Sequence, residues 1–269
     1  MKTPALIPPA VTHRIGNWCE ETVLREEHLK DFLAKHASGS LGIQRHELKM
    51  ALALQPVTLP PAFRFHESVM IKNLGTQGYL SVDLPDTFPN HITTADVFHL
   101  TTSQPQKVAE GIAVVPTARQ VFRIVPVDEY AHVGFMGATP RYGIKCYIQI
   151  CDALVERPMY LTSVAENISQ RSRKLKYQCA YLTFEKSSNA EWVFVYPERT
   201  MRMEMEGQPI EDGAPVIIQH LMTQNALGSE SGTPSLIRND FGVEYDVDLY
   251  RHRPGIWSRW TFEVPKTPK

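Results

Sequence analysis

The chain has 269 residues, 43% of them hydrophobic and 21% charged, which excludes a wholly disordered chain and suits one or two buried cores. Its 28 basic and 29 acidic residues leave a net charge of −1, so global charge gives no reason to expect a nucleic-acid or membrane partner. Four cysteines in this length make no disulfide scaffold, and no apolar run approaches the roughly 18 residues needed to span a bilayer.

The opening residues, Met1 to Pro9, are broken by prolines and too short for a signal-peptide core, so the expected compartment is the reducing cytosol. Asn167-Ile168-Ser169 matches a glycosylation acceptor, which without secretion is a chance match. Residues 14–55 read as helical. Asn17 is placed to cap a first helix, with Glu20 and Glu21 in its first turn favoured by the helix dipole. Leu29, Phe32, Leu33 and Ala37 share one face at helical spacing, while Val23 and Leu24 lie off that stripe. Ser38-Gly39-Ser40 supplies a stop. A second helix is expected from about Ile43 to Leu54, ended by Pro56. Pro60-Pro61 marks a change of architecture, which gives an N-terminal arm over 1–62, a β domain over 63–265 and a short tail over 266–269.

From Phe63 onward the signals are short strands between turns. They include Val69 to Ile71, Tyr79 to Val82, Val121 to Val125, Tyr147 to Ile150, Trp192 to Tyr196, Val216 to Ile218 and Val243 to Leu249. No long helical pattern separates them, which argues against a parallel βαβ fold. The segment Val69 to Leu80 aligns without gaps to Val216 to Leu227, with six of twelve positions identical, and a looser copy runs from Tyr147 to Thr162. A second motif closes each copy: Val121-Phe122-Arg123-Ile124-Val125-Pro126, Trp192-Val193-Phe194-Val195-Tyr196-Pro197 and Trp260-Thr261-Phe262-Glu263-Val264-Pro265. Three near-equal units of short strands predict an all-β fold closed by three-fold pseudo-symmetry, a β-trefoil, preceded by a helical segment. One unit cannot pair its strand edges alone, whereas three can close on themselves. Ile71, Ile150 and Ile218 are expected in equivalent inward positions, as are Phe122, Phe194 and Phe262.

Each catalytic pattern fails on residue type or spacing. His46-Glu47-Leu48-Lys49-Met50 has Met50 where a zinc protease has its second histidine. Gly228-Ser229-Glu230-Ser231-Gly232 has Glu230 where a nucleophile elbow has serine, and reads as a flexible turn. Gly75-Thr76-Gln77-Gly78 is too short for a phosphate loop and reads as a hairpin turn. Cys146 and Cys151 fall on opposite faces of a continuous strand, and Cys19 and Cys179 have no local ligand partner. Asp246 and Asp248 share a strand face without a visible third group. His220 occupies the place of Asn73 in the first copy, which suggests a hydrogen-bonding role in a turn. Trp192 and Trp260 recur at equivalent positions, as core residues do. The expectation is therefore a non-enzymatic protein with no cofactor, no metal and no small-molecule substrate. Candidate partner contacts are Trp18 and Phe32, large apolar groups in a charged helix, with Arg14 and Arg45 beside them. The basic run Arg171-Ser172-Arg173-Lys174-Leu175-Lys176 is a further candidate, its bland alternative being a solvated loop.

Arg14-Ile15-Gly16-Asn17-Trp18, Glu20-Glu21, Glu26-Glu27, Lys30 to Lys35, Gly39, Leu41 and Ile43-Gln44-Arg45 follow one another in an order that resembles the opening of the cilia- and flagella-associated protein 161 family. Tyr160-Leu161-Thr162-Ser163, Gly207-Gln208-Pro209-Ile210 and Asp240-Phe241-Gly242-Val243-Glu244 continue the resemblance, which covers most of residues 14–265. A departure is His220, at the first position of an Asn-His pair in that family. The resemblance implies a trefoil of the MIR type and a structural microtubule inner protein of motile cilia, in the cytoskeleton of the axoneme. Such a protein lies in the A-tubule lumen of the doublet, touching α- and β-tubulin and neighbouring inner proteins. The competing expectation is a carbohydrate-binding β-trefoil module.

Overall fold

The computed structural model describes residues 17–37, 42–89, 92–93, 96–104, 115–128, 138–164, 177–251 and 254–264. The chain forms two compact units, Met1–Leu48 and Lys49–Lys269.

The first unit contains helix α1 (Asn17–Ala37). Glu20 in its first turn and Lys35 and His36 in its last complement the helix dipole. Glu21 accepts from Arg25 at 2.8 Å and Asp31 from Lys35 at 2.6 Å, both one turn apart. These pairs are exposed, so each is worth only about 0.3–0.5 kcal/mol. Helix α2 (Gly42–Ala53) starts in this unit. The division falls at Leu48, ahead of the Pro60-Pro61 step, because the end of α2 and the segment after it bury Ala53, Leu59 and Phe63 in the β core.

The second unit is mostly antiparallel β-sheet. Its first stretch holds β1 (Ser68–Asn73), β2 (Tyr79–Asp83), β3 (Phe98–Ser103) and β4 (Val121–Pro126). The next holds β5 (Lys145–Ile150), β6 (Tyr160–Thr162), β7 (Gln178–Cys179), β8 (Tyr181–Thr183) and β9 (Trp192–Val195). Then follow the short α3 (Arg202–Met205), β10 (Val216–His220), β11 (Ala226–Gly228), β12 (Leu236–Asn239), β13 (Gly242–Asp246), β14 (Asp248–Tyr250) and β15 (Arg259–Glu263).

The pairings run in a ring: β1 with β4, β4 with β5, β5 with β9, β9 with β10, β10 with β15, and β15 with β1. A ring has no free edge to template aggregation. Inside it the repeated residues meet. Ile71 lies opposite Phe262, Ile150 opposite Phe122 and Ile218 opposite Phe194. Each pair joins one copy of the repeat to another, and all six side chains are buried. The Phe194 and Phe262 rings meet edge-to-face at 5.0 Å, and Phe63 stacks on Phe262 at 4.2 Å. The hairpins β2–β3, β6–β8 and β11–β14 sit between the ring strands of each copy. β3 pairs with β8, and β7 with β14, linking the hairpins to one another.

Two expectations are corrected. Val243 to Leu249 is two strands, β13 and β14, interrupted at Val247. β13 pairs with β12 and β3, whereas β14 pairs with β11 and β7, so the chain changes partners within one residue. The Gly228–Gly232 stretch is not a loose turn at its start. Ser229 is fully buried, donates to the Asp246 carbonyl at 2.9 Å and bonds the Thr102 hydroxyl at 2.9 Å.

Candidate interaction surfaces

Residues 20–37 of α1 are exposed along their whole length. Phe32 is 51% exposed, its ring 6.4 Å from that of His36, and Leu29 and Leu33 on the same stripe are equally open. Stacked side chains three and four residues apart thus make a small apolar patch. Val23 and Leu24, off the stripe, are exposed as well. Arg45 is half-buried on α2. Trp18 belongs to the first turn of α1, but its side chain lies outside the described residues, as do Arg14, Arg171, Arg173 and Lys174. Of the proposed contact residues, only Phe32 and Arg45 therefore have described side chains.

In the β unit, the polar residues at the repeats are engaged in holding turns. The Asn73 side-chain oxygen accepts from the Gly75 and Thr76 amides at 2.9 Å, and its nitrogen donates to the Trp257 carbonyl at 2.8 Å. Gly75 is needed there, since a Cβ would sit 2.7 Å from the Trp257 backbone. His220 does the same work in the third copy. Its Nε2 donates to the Asn189 carbonyl at 2.9 Å, which leaves Nδ1 to accept from the Thr223 hydroxyl at 2.9 Å. Burial pushes the His220 pKa below its ordinary value, against the opposing pull of the Asn189 carbonyl. The ring is a neutral structural imidazole. In the middle copy Cys151 takes this role, its thiol 3.3 Å from the Ala118 carbonyl. Trp257, Asn189 and Ala118 each belong to the short 3₁₀ turn that leads into a closing strand. Trp192 and Trp260 are fully buried, and their indole nitrogens donate to the Leu161 and Leu227 carbonyls at 2.8 and 2.9 Å.

A buried ionic cluster was not legible in the sequence. Arg119, just before β4, forks onto both oxygens of Glu244 on β13, at 2.8 and 2.9 Å, with both side chains 3% exposed. Thr101 and Asn239 donate to the same carboxylate at 2.7 Å. Arg119 also donates to the Val82 carbonyl at 3.0 Å and lies 3.7 Å over the Phe241 ring. Burial alone would raise the Glu244 pKa. The Arg119 hydrogen bonds and charge, with those of Thr101 and Asn239, outweigh it and hold the carboxyl below its ordinary value. Nearby, Lys49 from α2 reaches Asp240 at 2.6 Å and Asp86 at 3.5 Å. Apart from Asn239–Glu244, five residues apart, these links span long stretches of sequence, so no local spacing announces them.

Among the described residues no three of His, Cys, Asp and Glu converge as a metal set. Cys146, Cys151 and Cys179 are buried free thiols, and burial pushes the Cys146 thiol pKa up, away from reactivity. Asp246 and Asp248 occupy different strands and form no catalytic pair on one strand face.

The chain is 28% identical over 255 residues to cilia- and flagella-associated protein 161 of Bos taurus, spanning 89% of this chain and 75% of that protein. Proteins of the same name from Danio rerio and Mus musculus are 25% and 27% identical over 88% and 87% of this chain, and over 80% and 79% of their own lengths. The resemblance seen in the N-terminal and repeat segments therefore extends along nearly the whole chain. No protein-family model matches it. In structure, the SDF2-like protein from Arabidopsis thaliana superposes with a TM-score of 0.52 at 13% identity, over 75% of this chain and 94% of that one. A Caenorhabditis elegans protein of unknown function gives 0.52 at 11% identity, over 76% of this chain and 96% of that one. At these identities the likeness is one of fold.

Proposed function

We propose that this chain is a non-enzymatic structural protein of cilia or flagella: a microtubule inner protein seated on α/β-tubulin in the A-tubule lumen of axonemal doublets. In this reading the β unit is a β-trefoil of the MIR type, and α1 is its docking arm. The observation that carries it is the similarity to three cilia- and flagella-associated proteins across 87–89% of the chain. The ring of copy-to-copy Ile–Phe pairs supports the trefoil, and the open Leu29–Phe32–Leu33 patch supports the arm. That the buried polar residues described above brace turns and strands supports a mechanical role over a catalytic one. A tubulin lattice repeats one docking site at regular intervals, and neighbouring proteins tether each copy, so modest single contacts become durable through high effective concentration.

The test is expression of the tagged chain in ciliated cells, followed by detergent extraction, axoneme isolation and density mapping of intact doublets. The expected result is retention in the extracted axoneme and density for the β unit inside the A-tubule. A chain that leaves with the detergent-soluble fraction, or that decorates only the outer wall, overturns the proposal. Deleting residues 1–37 separates arm from brace: loss of incorporation by a cooperatively melting protein supports the arm, and normal occupancy refutes it.

A further inference from the structure

A cleft of about 1000 Å³ opens on the outside of the ring. Its floor is apolar, made by Val195 on β9, Ile217 on β10 and Ala226 on β11. Its walls are basic. Arg199 and Arg202 come from the helical turn after β9, Arg251 follows β14, and Arg259 opens β15. Glu198 is the acidic lining residue. The sequence scatters these arginines from position 199 to position 259 and gives no basic run joining them, so only the closure of the ring gathers them.

None of the four arginines has an ion-pair partner among the described residues, although the chain as a whole is electrically balanced. Arg202 is held in place by its Nε, which donates to the Tyr196 carbonyl at 2.9 Å, leaving its terminal nitrogens for other work. Burial, and then the charge of Arg199, pull the Arg202 pKa below its ordinary value, as expected for like charges sharing one recess. Tyr250 forms part of the wall between Tyr177 and Trp257, with ring centroids at 4.6 and 4.3 Å. It is 2% exposed, and its hydroxyl has no hydrogen-bond partner among the described residues.

From this geometry we infer that the cleft is a docking site for an acidic polypeptide segment of another protein, one whose carboxylates alternate with apolar side chains. Guanidinium forks match carboxylates two bonds at a time, and the floor takes the apolar side chains between them. The volume is that of a site for an extended ligand, larger than a single small anion requires. Residues 1–16, 165–176 and 265–269 of the chain do not have the chemistry of such a segment: they carry one acidic residue, Glu166, against several lysines and arginines. The inference does not depend on residence in a cilium, and the test below leaves that reading untouched.

The experiment uses the purified full chain and a fluorescein-labelled peptide alternating glutamate and leucine, read by anisotropy. The same peptide with glutamine for glutamate, and a single-stranded RNA oligonucleotide, are the controls. The expected result is saturable, salt-sensitive binding of the glutamate peptide, weakened at least about tenfold in the doubly substituted Arg199→Gln/Arg259→Gln chain. Both arginines are exposed, so melting of the double variant is expected to match the parent. Equal binding of the glutamine peptide, indifference to the arginine substitutions, no measurable binding, or binding of RNA alone would each overturn the inference.

Discussion

Phe32 and Phe262 are the same side chain put to opposite uses. On α1, Phe32 stands half in solvent on a helix whose ion pairs are local and exposed. On β15, Phe262 faces Ile71 across the ring, stacks on Phe63 and meets Phe194 edge-on, with no exposure at all. Local pairing suffices to make a helix but holds it weakly. The ring is held by contacts between copies, so each residue there supports the whole closure.

The largest expected effect lies in the ring. Phe262→Ala should lower unfolding free energy by roughly 3–5 kcal/mol in chemical denaturation, because neighbours on three sides cannot collapse into the void. Phe122→Ala and Phe194→Ala should behave alike; a stable variant at any of the three breaks the equivalence of the copies.

The buried ion pair comes next. Arg119→Met leaves Glu244 buried without its counter-charge and should cost about 3–4 kcal/mol. The pH dependence sharpens the point. The Glu244 pKa is depressed in the folded chain, so its contribution is present above the unfolded value of 4.5 and is lost as pH falls through the folded one. Denaturation series at decreasing pH should therefore show Glu244→Gln losing less stability in acid than the parent does.

A smaller effect is expected at His220. Its folded pKa is lowered, so the unfolded chain takes up a proton that the native ring refuses. Stability should decline as pH falls below the ordinary value of 6.5. His220→Asn, which places the first copy's residue in the third, should cost about 1 kcal/mol at neutral pH. It should also remove that part of the pH slope. An unchanged slope would show that the ring titrates alike in the folded and unfolded chain.

The smallest effect is at the helix. Phe32→Ala should change stability by less than about 0.5 kcal/mol. It should still reduce axonemal retention if α1 is an arm. A large loss of stability there would erase the contrast between the two regions.

Much of the ring was legible because hydrophobic alternation and the recurring Phe-x-apolar motif survive in one dimension. β3 was not, because after the buried Phe98 and Leu100 its buried residues are hydroxylic. Thr101 donates to Glu244, Thr102 bonds Ser229, and Ser103 bonds Ser81 and accepts from Gln120. Where a strand buries polar groups in hydrogen bonds, the apolar alternation is cut short, here to Phe98 and Leu100. β12 and the switch at Val247 were hidden for the related reason that a change of strand partner leaves no mark on composition.

By itself, then, the sequence determined the two α-helices, the strands that alternate, the register of the copies and the resemblance to a family. These depend on neighbours along the chain or on motifs that repeat. Tertiary structure alone decided which polar residues go inside, that Arg119 meets Glu244, and that Arg199, Arg202, Arg251 and Arg259 share one cleft. Charges find partners through space. Their energy depends on distance and on exclusion of water, neither of which sequence separation records.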